Sequence, residues 1–319
     1  MRRREFMALL GGAAASFSLA ARAQQPKAIR IGVLSLSNPG PLWGLLRAAL
    51  RDLAYQEGQN VQFEFRTAEE NPARLAELAA ELVNLKVDVI VAYPSPAVAV
   101  AKRATGEIPI VMLAAGDPVA TGLVASLARP GSNITGTSST TAEIGSKTLE
   151  IVRDIIPSAR RVAVLASATD PFTGSFLEQL RLGGQTLRLE IQTIMIKDAS
   201  ELDEAFADMK KNAAEAVVVQ PSLPRVRVAE LALQHGLPAI APTSGFAAIG
   251  GLVGYSASPA EMARRTAAII DKIIKGSRPA DLPVEQPTTF YLVINLKTAR
   301  TLGLDVPPAL QARADEVIE

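Results

Sequence analysis

The residues from Ile29 to Gly58 constrain the fold more than any other part of the chain. They begin with a short apolar run, Ile29–Leu34, whose β-branched residues favour a buried strand over a helix. Prolines and a glycine in Ser35–Pro41 end that strand, and apolar residues then recur at three- and four-residue steps until Gly58. Val61–Phe65 alternates as a second strand. This order predicts a doubly wound α/β sheet, whose ligands bind beyond the carboxyl ends of the strands.

The same plan returns in the second half of the chain. Arg161–Ala166 is predicted as a strand, Ser167–Gly174 as a polar loop, Phe176–Leu187 as a helix and Leu189–Ile196 as the next strand. The similarity is one of architecture and does not extend to residue identities. We therefore predict two doubly wound α/β lobes with a ligand cleft between them.

The 319 residues are enough for two domains, each with its own core. Lobe 1 is predicted at residues 28–135, with residues 253–285 returning to it, and lobe 2 at residues 136–252, with residues 288–319 returning to it. The predicted crossings between the lobes are Ile134–Ser139, Gly250–Tyr255 and Leu282–Asn295. Three crossings make both lobes discontinuous and place a three-strand hinge between them. Short helices are predicted at Gly122–Ala128 and Pro308–Ile318.

The N-terminal residues are typical of an export signal. Three arginines at residues 2–4 precede an apolar run of small residues, Ala8–Ala21, which is shorter than the ~20 residues that span a bilayer. Ala21-Arg22-Ala23 is a small-x-small cleavage site, so residues 1–23 are predicted as a signal peptide. The Arg3-Arg4 pair followed by Phe6-Met7 favours the twin-arginine route, with an ordinary Sec signal as the alternative. The mature chain is predicted to be periplasmic and to have no membrane span.

Charge and composition exclude several classes of partner and site. Lysine and arginine total 33 and aspartate and glutamate total 32, so the basic excess that marks nucleic-acid binding is missing. The chain has no cysteine, which excludes disulfides, thiol chemistry and cysteine-based zinc sites. With one histidine, the sequence indicates neither a metal cluster nor a bound cofactor.

Two aspartates are candidate ligand contacts. Asp117-Pro118 and Asp170-Pro171 each follow the end of a predicted strand, and they fall in opposite lobes. Aspartate at the N-cap with proline at the first helical position is an ordinary helix start. The alternative is that one carboxylate accepts a hydrogen bond from a ligand ammonium group, and both roles can coexist.

Hydroxyl and aromatic side chains form the second group of candidates. Serines and threonines recur where strands end and helices begin, and together they predict a cleft lined by hydroxyls and helix N-termini, which favours a carboxylate ligand. Phe246 and Tyr255 are candidates to stack on the ligand, with packing inside a lobe as the alternative. The candidate ligand-binding set is Ser37, Ser95, Asp117, Thr137, Asp170, Ser222, Ser244, Phe246 and Tyr255.

The sequence gives little support for catalysis. His235 stands at the end of a predicted helix, where it interacts with the helix terminus. Gly145-Ser146-Lys147-Thr148 lacks the leading glycine and the residue order of a phosphate-binding loop. The Gly-x-Ser-x-Gly and Gly-x-Gly-x-x-Gly motifs are also missing. The protein is therefore predicted not to be an enzyme and to have no catalytic residue.

Three segments carry a resemblance to a known family. They are Ala280–Thr288 with Leu292–Ala299, Gly116–Val119 with Ser126–Gly136, and Pro307-Pro308 with Arg313–Ile318. The chain resembles ABC transporter substrate-binding proteins of the tryptophan/tyrosine type. The resemblance implies a type I periplasmic binding protein-like fold that closes on a small solute and delivers it to a membrane permease. Characterised relatives bind aromatic amino acids.

These observations predict a periplasmic solute-binding protein of an ABC importer. Its ligand is expected to be an amino acid or a similar carboxylate, and its partner an inner-membrane permease with its ATPase. The mature chain is expected to be a monomer. One alternative is an extracytoplasmic ligand sensor of the same fold, and another is a two-lobed enzyme with its site in the same cleft.

Overall fold

The computed structural model describes residues 28–38, 40–139 and 144–319. The signal peptide predicted at residues 1–23 lies outside these ranges. Within them, no helix combines the length and the apolar character needed to cross a membrane.

The first sheet contains five parallel strands in the order β2-β1-β3-β4-β5. They are β1 (Ile29–Ser35), β2 (Val61–Thr67), β3 (Val89–Tyr93), β4 (Ile110–Ala115) and β5 (Ile134–Ser138). The central strands β3 and β4 are almost wholly apolar and buried, as expected for a parallel sheet covered on both faces.

The helices that cover this sheet include α1 (Pro41–Asp52), α2 (Leu75–Asn84) and α3 (Ser95–Ala104). The helix predicted at Gly122–Ala128 is wrong, since this segment forms turns. Gly122 has a left-handed backbone with a φ of 67°, and its carbonyl oxygen accepts a hydrogen bond from Lys102 Nζ. The left-handed backbone at Gly122 is not compatible with the regular backbone hydrogen bonding of a helix.

The second sheet contains seven strands in the order β12-β11-β10-β9-β8-β6-β7. They are β6 (Arg161–Ser167), β7 (Glu190–Ile196), β8 (Ala216–Val219), β9 (Ala239–Ala241), β10 (Val253–Ala257), β11 (Phe290–Asn295) and β12 (Glu316–Ile318). Strands β7-β6-β8-β9-β10 are parallel and repeat the winding order of the first sheet. Strand β11 then runs antiparallel to β10. The repeated plan predicted from the sequence is therefore confirmed.

The remaining helices follow in chain order. They are α4 (Ile144–Ile155), α5 (Thr173–Leu187), α6 (Leu202–Lys211), α7 (Arg225–Gln234), α8 (Gly245–Ala248), α9 (Pro259–Ile274), α10 (Leu296–Thr301) and α11 (Pro308–Gln311). Three short 3-10 turns lie at Pro72–Arg74, Ala199–Glu201 and Pro279–Asp281.

The predicted helix at Pro308–Ile318 is only partly present. Helix α11 ends at Gln311, and Glu316–Ile318 forms β12 beside β11. Asp315 stabilises the strand instead of a longer helix. Its backbone N–H donates to the carbonyl oxygen of Leu292, and its carboxylate accepts from the N–H of Leu292. These two bonds fix the chain beside the sheet.

The positions of the crossings differ from the predicted boundaries. The boundary between residues 135 and 136 falls inside β5, which pairs with β4 in the first sheet as far as Ser138. The segment Gly250–Tyr255 is not a crossing, because Val253 and Gly254 pair with β9 in the second sheet. The chain crosses after β10 instead, so the return to lobe 1 begins beyond residue 257.

Helix α9 belongs to the first lobe by its packing. Its apolar face, which includes Ala263, Ala267 and Ile270, joins a core that contains Ile31 of β1 and Leu46 of α1. The pattern that produces this face is strongly amphipathic, with Pro259 at the first position and the Ser258 side chain capping the N–H of Glu261. Residues 285–290 then lead back to the second sheet.

Candidate ligand-binding cleft

A cavity of about 480 Å³ lies between the two lobes. It is lined by the loops that follow β1, β3 and β4 in the first lobe and β6, β8 and β9 in the second. These are the carboxyl ends of parallel strands, where doubly wound sheets bind their ligands. The volume falls within the range of ~300–1,000 Å³ that is usual for small-molecule sites.

The first lobe provides mainly apolar and hydroxyl groups. Tyr93 is the last residue of β3 and Pro94 follows it, and Leu42 lies in the first turn of α1. Ser95 is buried, and its hydroxyl oxygen accepts a hydrogen bond of 2.9 Å from the N–H of Gly116. This bond joins the loops after β3 and β4. The charged residue on this wall is Glu70, which is exposed.

The second lobe provides a buried carboxylate, Asp170, after β6. Its Oδ1 accepts from the N–H of Phe172 at 2.8 Å, and its Oδ2 accepts from Gln220 Nε2 at 3.0 Å. Burial raises the pKa of Asp170, although the Phe172 N–H and the nearby Ser222 hydroxyl act in the opposite direction. The Gln220 amide is fixed in turn, because its Oε1 accepts from the N–H of Ser167 and the hydroxyl of Thr173.

The same wall carries a cation, Arg225, at the first position of α7. Its Nη1 donates to the hydroxyl oxygen of Thr243 at 3.3 Å. Among the described residues no carboxylate pairs with it. The Ser222 hydroxyl, also on the cavity wall, is buried near the Asp170 carboxylate but makes no hydrogen bond of normal geometry within the described part of the chain.

The lobes touch each other at the edge of the cavity. The ring of Phe172 packs on Gly116 so closely that a Cβ atom there would lie 2.6 Å from the ring. One residue further on, Asp117 Oδ2 accepts a hydrogen bond of 2.6 Å from the Ser175 hydroxyl on α5. These contacts join the two lobes directly.

Five of the predicted site residues line this cavity: Ser37, Ser95, Asp170, Ser222 and Ser244. All five follow the carboxyl end of a strand, and this position was the reason for predicting them as ligand contacts. The structure brings these side chains from both lobes into one cavity.

Asp117 and Thr137 lie close to the cavity but do not line it. Asp117 Oδ1 accepts from the N–H of Ala120, as a capping residue does, while Oδ2 bonds to Ser175. Thr137 is fully buried in β5, where its hydroxyl contacts Thr266 of α9 at 3.1 Å. The hydrogen bonds of both side chains stabilise the protein next to the cleft, and neither side chain faces the ligand space.

The two predicted stacking residues pack inside the second lobe. Phe246 is fully buried in a core cluster. Tyr255 stacks on the Phe290 ring at a centroid distance of 5.7 Å, across the β10–β11 pair. The aromatic rings that line the cavity are those of Tyr93 and Phe172.

Sequence reasoning missed Arg225, Phe172, Tyr93 and Glu70. Tyr93 stands at the end of a buried strand, a position that could have selected it. Arg225 is displaced by several residues from the end of β8, at Val219, and the sequence alone does not show that the α7 N-terminus reaches the cleft.

Comparison with known proteins agrees with this architecture. A curated tyrosine-binding protein from Clostridioides difficile (strain R20291) is 27% identical over 261 residues, which cover 80% of this chain and 74% of that protein. A crystal structure of a conserved domain protein from Vibrio cholerae covers 91% of this chain and 100% of its own, with a TM-score of 0.84 and 24% identity. A Streptococcus pneumoniae ABC domain in complex with L-Trp covers 92% of this chain and 100% of its own, with a TM-score of 0.83 and 24% identity. Both structures show the same fold of two α/β lobes, which is that of type I periplasmic binding proteins.

The family model for ABC transporter substrate binding protein matches residues 43–318, which is most of the chain. This family binds solutes and is not catalytic, and its members work outside the cytoplasm with ABC transporters. The chain belongs to the ABC transporter substrate binding protein family.

Proposed function

We propose that this protein is the periplasmic receptor of an ABC importer and that it captures a small amino acid or related carboxylate by closing its lobes. The observation that carries the proposal is the cavity of about 480 Å³ between the strand ends of both lobes. The three chain crossings fit a hinge that opens and closes this cavity. The domain boundaries that we propose are residues 28–138 with 259–285 for lobe 1, and residues 144–257 with 290–319 for lobe 2.

The cavity suits a ligand that carries both a charged group and an apolar body. Asp170 and Arg225 supply charges of opposite sign, and Tyr93, Phe172 and Met262 supply apolar surface. Two relatives support the same class of ligand, since one is named a tyrosine-binding protein and the other was crystallised with L-Trp. We therefore propose an amino acid with an apolar or aromatic side chain as the leading candidate.

Export to the periplasm is supported by residues 1–23. We propose that cleavage follows Ala23 and that Arg3 and Arg4 direct the precursor to the twin-arginine route. N-terminal sequencing of the protein from a periplasmic extract checks the first proposal, and a mature chain that retains Met1 would contradict it. Replacing both arginines by lysine checks the second, because only the twin-arginine route depends on them.

A thermal-shift screen of the twenty amino acids and a set of small carboxylates tests the proposed function. A solute at one hundred times its Kd stabilises the folded protein by ~2.7 kcal/mol. At roughly 2–4 °C per kcal/mol, this is a rise of several degrees in Tm. The proposal fails if no member of the screen shifts the Tm at millimolar concentration.

A further inference from the structure

Arg225 has an unusual position for a basic residue. It is the first residue of α7, a helix with no acidic residue in its first turn and no side-chain cap. The N-terminus of a helix carries a partial positive charge, so a cation there is electrostatically unfavourable. The position favours a bound anion instead.

The neighbouring arginine on the same helix shows the contrast. Arg227 is half-exposed and pairs with Asp203 at 3.0 Å and with Glu230 at 3.6 Å. Arg225 has only the neutral Thr243 hydroxyl, at the long distance of 3.3 Å, within the described ranges. Since a guanidinium has five N–H donors, four of those of Arg225 have no hydrogen-bond partner among the described residues.

A second donor beside Arg225 also lacks a well-formed hydrogen bond. The Ser222 hydroxyl lines the cavity three residues before Arg225 and is buried near the Asp170 carboxylate, but it makes no hydrogen bond of normal geometry among the described residues. A buried hydroxyl without a partner costs free energy, and a ligand oxygen in the cavity would remove that cost. Ser222 and Arg225 therefore offer two adjacent kinds of donor to the same space.

We propose that Arg225, assisted by Ser222 and the N-terminus of α7, binds the carboxylate group of the solute. This assignment rests on the proposed function and adds the orientation of the ligand. The carboxylate lies on lobe 2, and the apolar part of the solute extends toward Tyr93 of lobe 1. Lobe 2 therefore holds the charged end of the solute, and lobe 1 closes over the remainder.

Three related probes test the assignment by calorimetry with the purified mature chain. L-tyrosine carries a carboxylate and an ammonium group, 3-(4-hydroxyphenyl)propionate keeps only the carboxylate, and tyramine keeps only the ammonium group. We expect L-tyrosine and 3-(4-hydroxyphenyl)propionate to bind and tyramine to bind far more weakly. Arg225→Gln should weaken binding of both carboxylates about 10- to 100-fold, which is the effect of losing a hydrogen-bonded charge.

The matched control is Arg227→Gln, which removes an arginine from the same helix outside the cavity. It should leave all three affinities at their wild-type values. Arg225→Lys keeps the charge without the forked geometry and should restore part of the affinity. The Tm of ligand-free Arg225→Gln should equal or exceed that of wild type, because the lost charge opposes the helix dipole.

The outcomes separate this assignment from the proposed function. If Arg225→Gln binds L-tyrosine as tightly as wild type does, or if tyramine binds as tightly as L-tyrosine, the assignment is wrong while the receptor function stands. If wild type binds none of the three probes and no member of the amino-acid and carboxylate screen, both the receptor function and the assignment are wrong.

Discussion

Asp117 and Ser175 join the two lobes directly across the cleft, through a hydrogen bond of 2.6 Å from the Ser175 hydroxyl to the Asp117 carboxylate. Asp117 follows β4 of the first lobe, and Ser175 lies in the first turn of α5 in the second. Beside this bond, the Phe172 ring packs on the backbone of Gly116. Both contacts join one lobe to the other, so we expect their energy to add to whatever a bound solute contributes to closure.

Ser175→Ala should weaken solute binding without unfolding the protein. A hydrogen bond to a charged group contributes about 1.5–3 kcal/mol, so the solute affinity should fall by roughly tenfold or more. The Tm of the ligand-free protein should change little, because the contact that the second lobe loses is one long hydrogen bond of 3.4 Å from Gln179 Nε2 to the Ser175 hydroxyl. Calorimetry with a solute found by the thermal-shift screen measures the first quantity, and an unchanged Kd would show that the Asp117–Ser175 bond does not stabilise the closed state.

Gly116→Ala should hold the lobes apart. A Cβ atom at this position would lie 2.6 Å from the Phe172 ring, and the ring is packed in the core of the second lobe. The expected result is a larger radius of gyration than wild type shows when both are saturated with a solute found by the thermal-shift screen. Gly174→Ala is the control, since a Cβ atom there meets nothing within 4 Å. Equal radii for the Gly116→Ala variant and wild type would argue against closure through this contact.

Glu261 ties two chain crossings together near the hinge. Its carboxylate accepts hydrogen bonds from the N–H and hydroxyl groups of Thr288 and Thr289, and it pairs with Arg265 at 2.6 Å. Arg265 in turn contacts Glu285 at 2.9 Å. Burial alone would raise the pKa of Glu261, but these hydrogen bonds outweigh it and lower the pKa to about 2.

The low pKa of Glu261 makes a pH-dependent contribution to stability. Because the pKa is lower in the folded state than its ordinary value of 4.5, the contribution is complete above pH 4.5 and is lost as the pH falls toward 2. Glu261→Gln should therefore lower the free energy of unfolding by about 2 kcal/mol at pH 7, and the difference from wild type should shrink between pH 4.5 and 2. Denaturant unfolding measures this, with Glu178→Gln as an exposed control that should have no comparable effect. A difference that stays constant over this pH range would contradict the role of the charge.

Asp170→Asn should destabilise the second lobe. The new amide can keep one oxygen for the Phe172 N–H, but its NH₂ group then faces Gln220 Nε2, which is also a donor. Gln220 cannot turn over, since its oxygen accepts from Ser167 and Thr173. We expect a loss of about 1–3 kcal/mol in unfolding free energy, measured without ligand. Unchanged stability would show that the network rearranges at no cost.

The repeated strand–loop–helix plan was predictable because buried parallel strands leave an apolar pattern that is interrupted by polar loops. The same rule placed Ser37, Ser95, Asp170, Ser222 and Ser244 on the cavity. Phe246 and Tyr255, the candidates to stack on the ligand, pack inside the second lobe instead, because the sequence does not show which face of β10 and α8 turns toward the core. Arg225 was missed for a related reason, since the α7 N-terminus lines the cleft only through the tertiary arrangement of the second lobe.

Small-angle scattering of the mature wild-type chain, with and without a saturating solute found by the thermal-shift screen, tests the central claim most directly. The claim is that the lobes close on a solute held between the strand ends of both sheets. It predicts a smaller radius of gyration in the saturated sample, and the Ser175→Ala variant should need a higher solute concentration to reach it. A radius that does not change while calorimetry shows full occupancy would contradict capture by lobe closure.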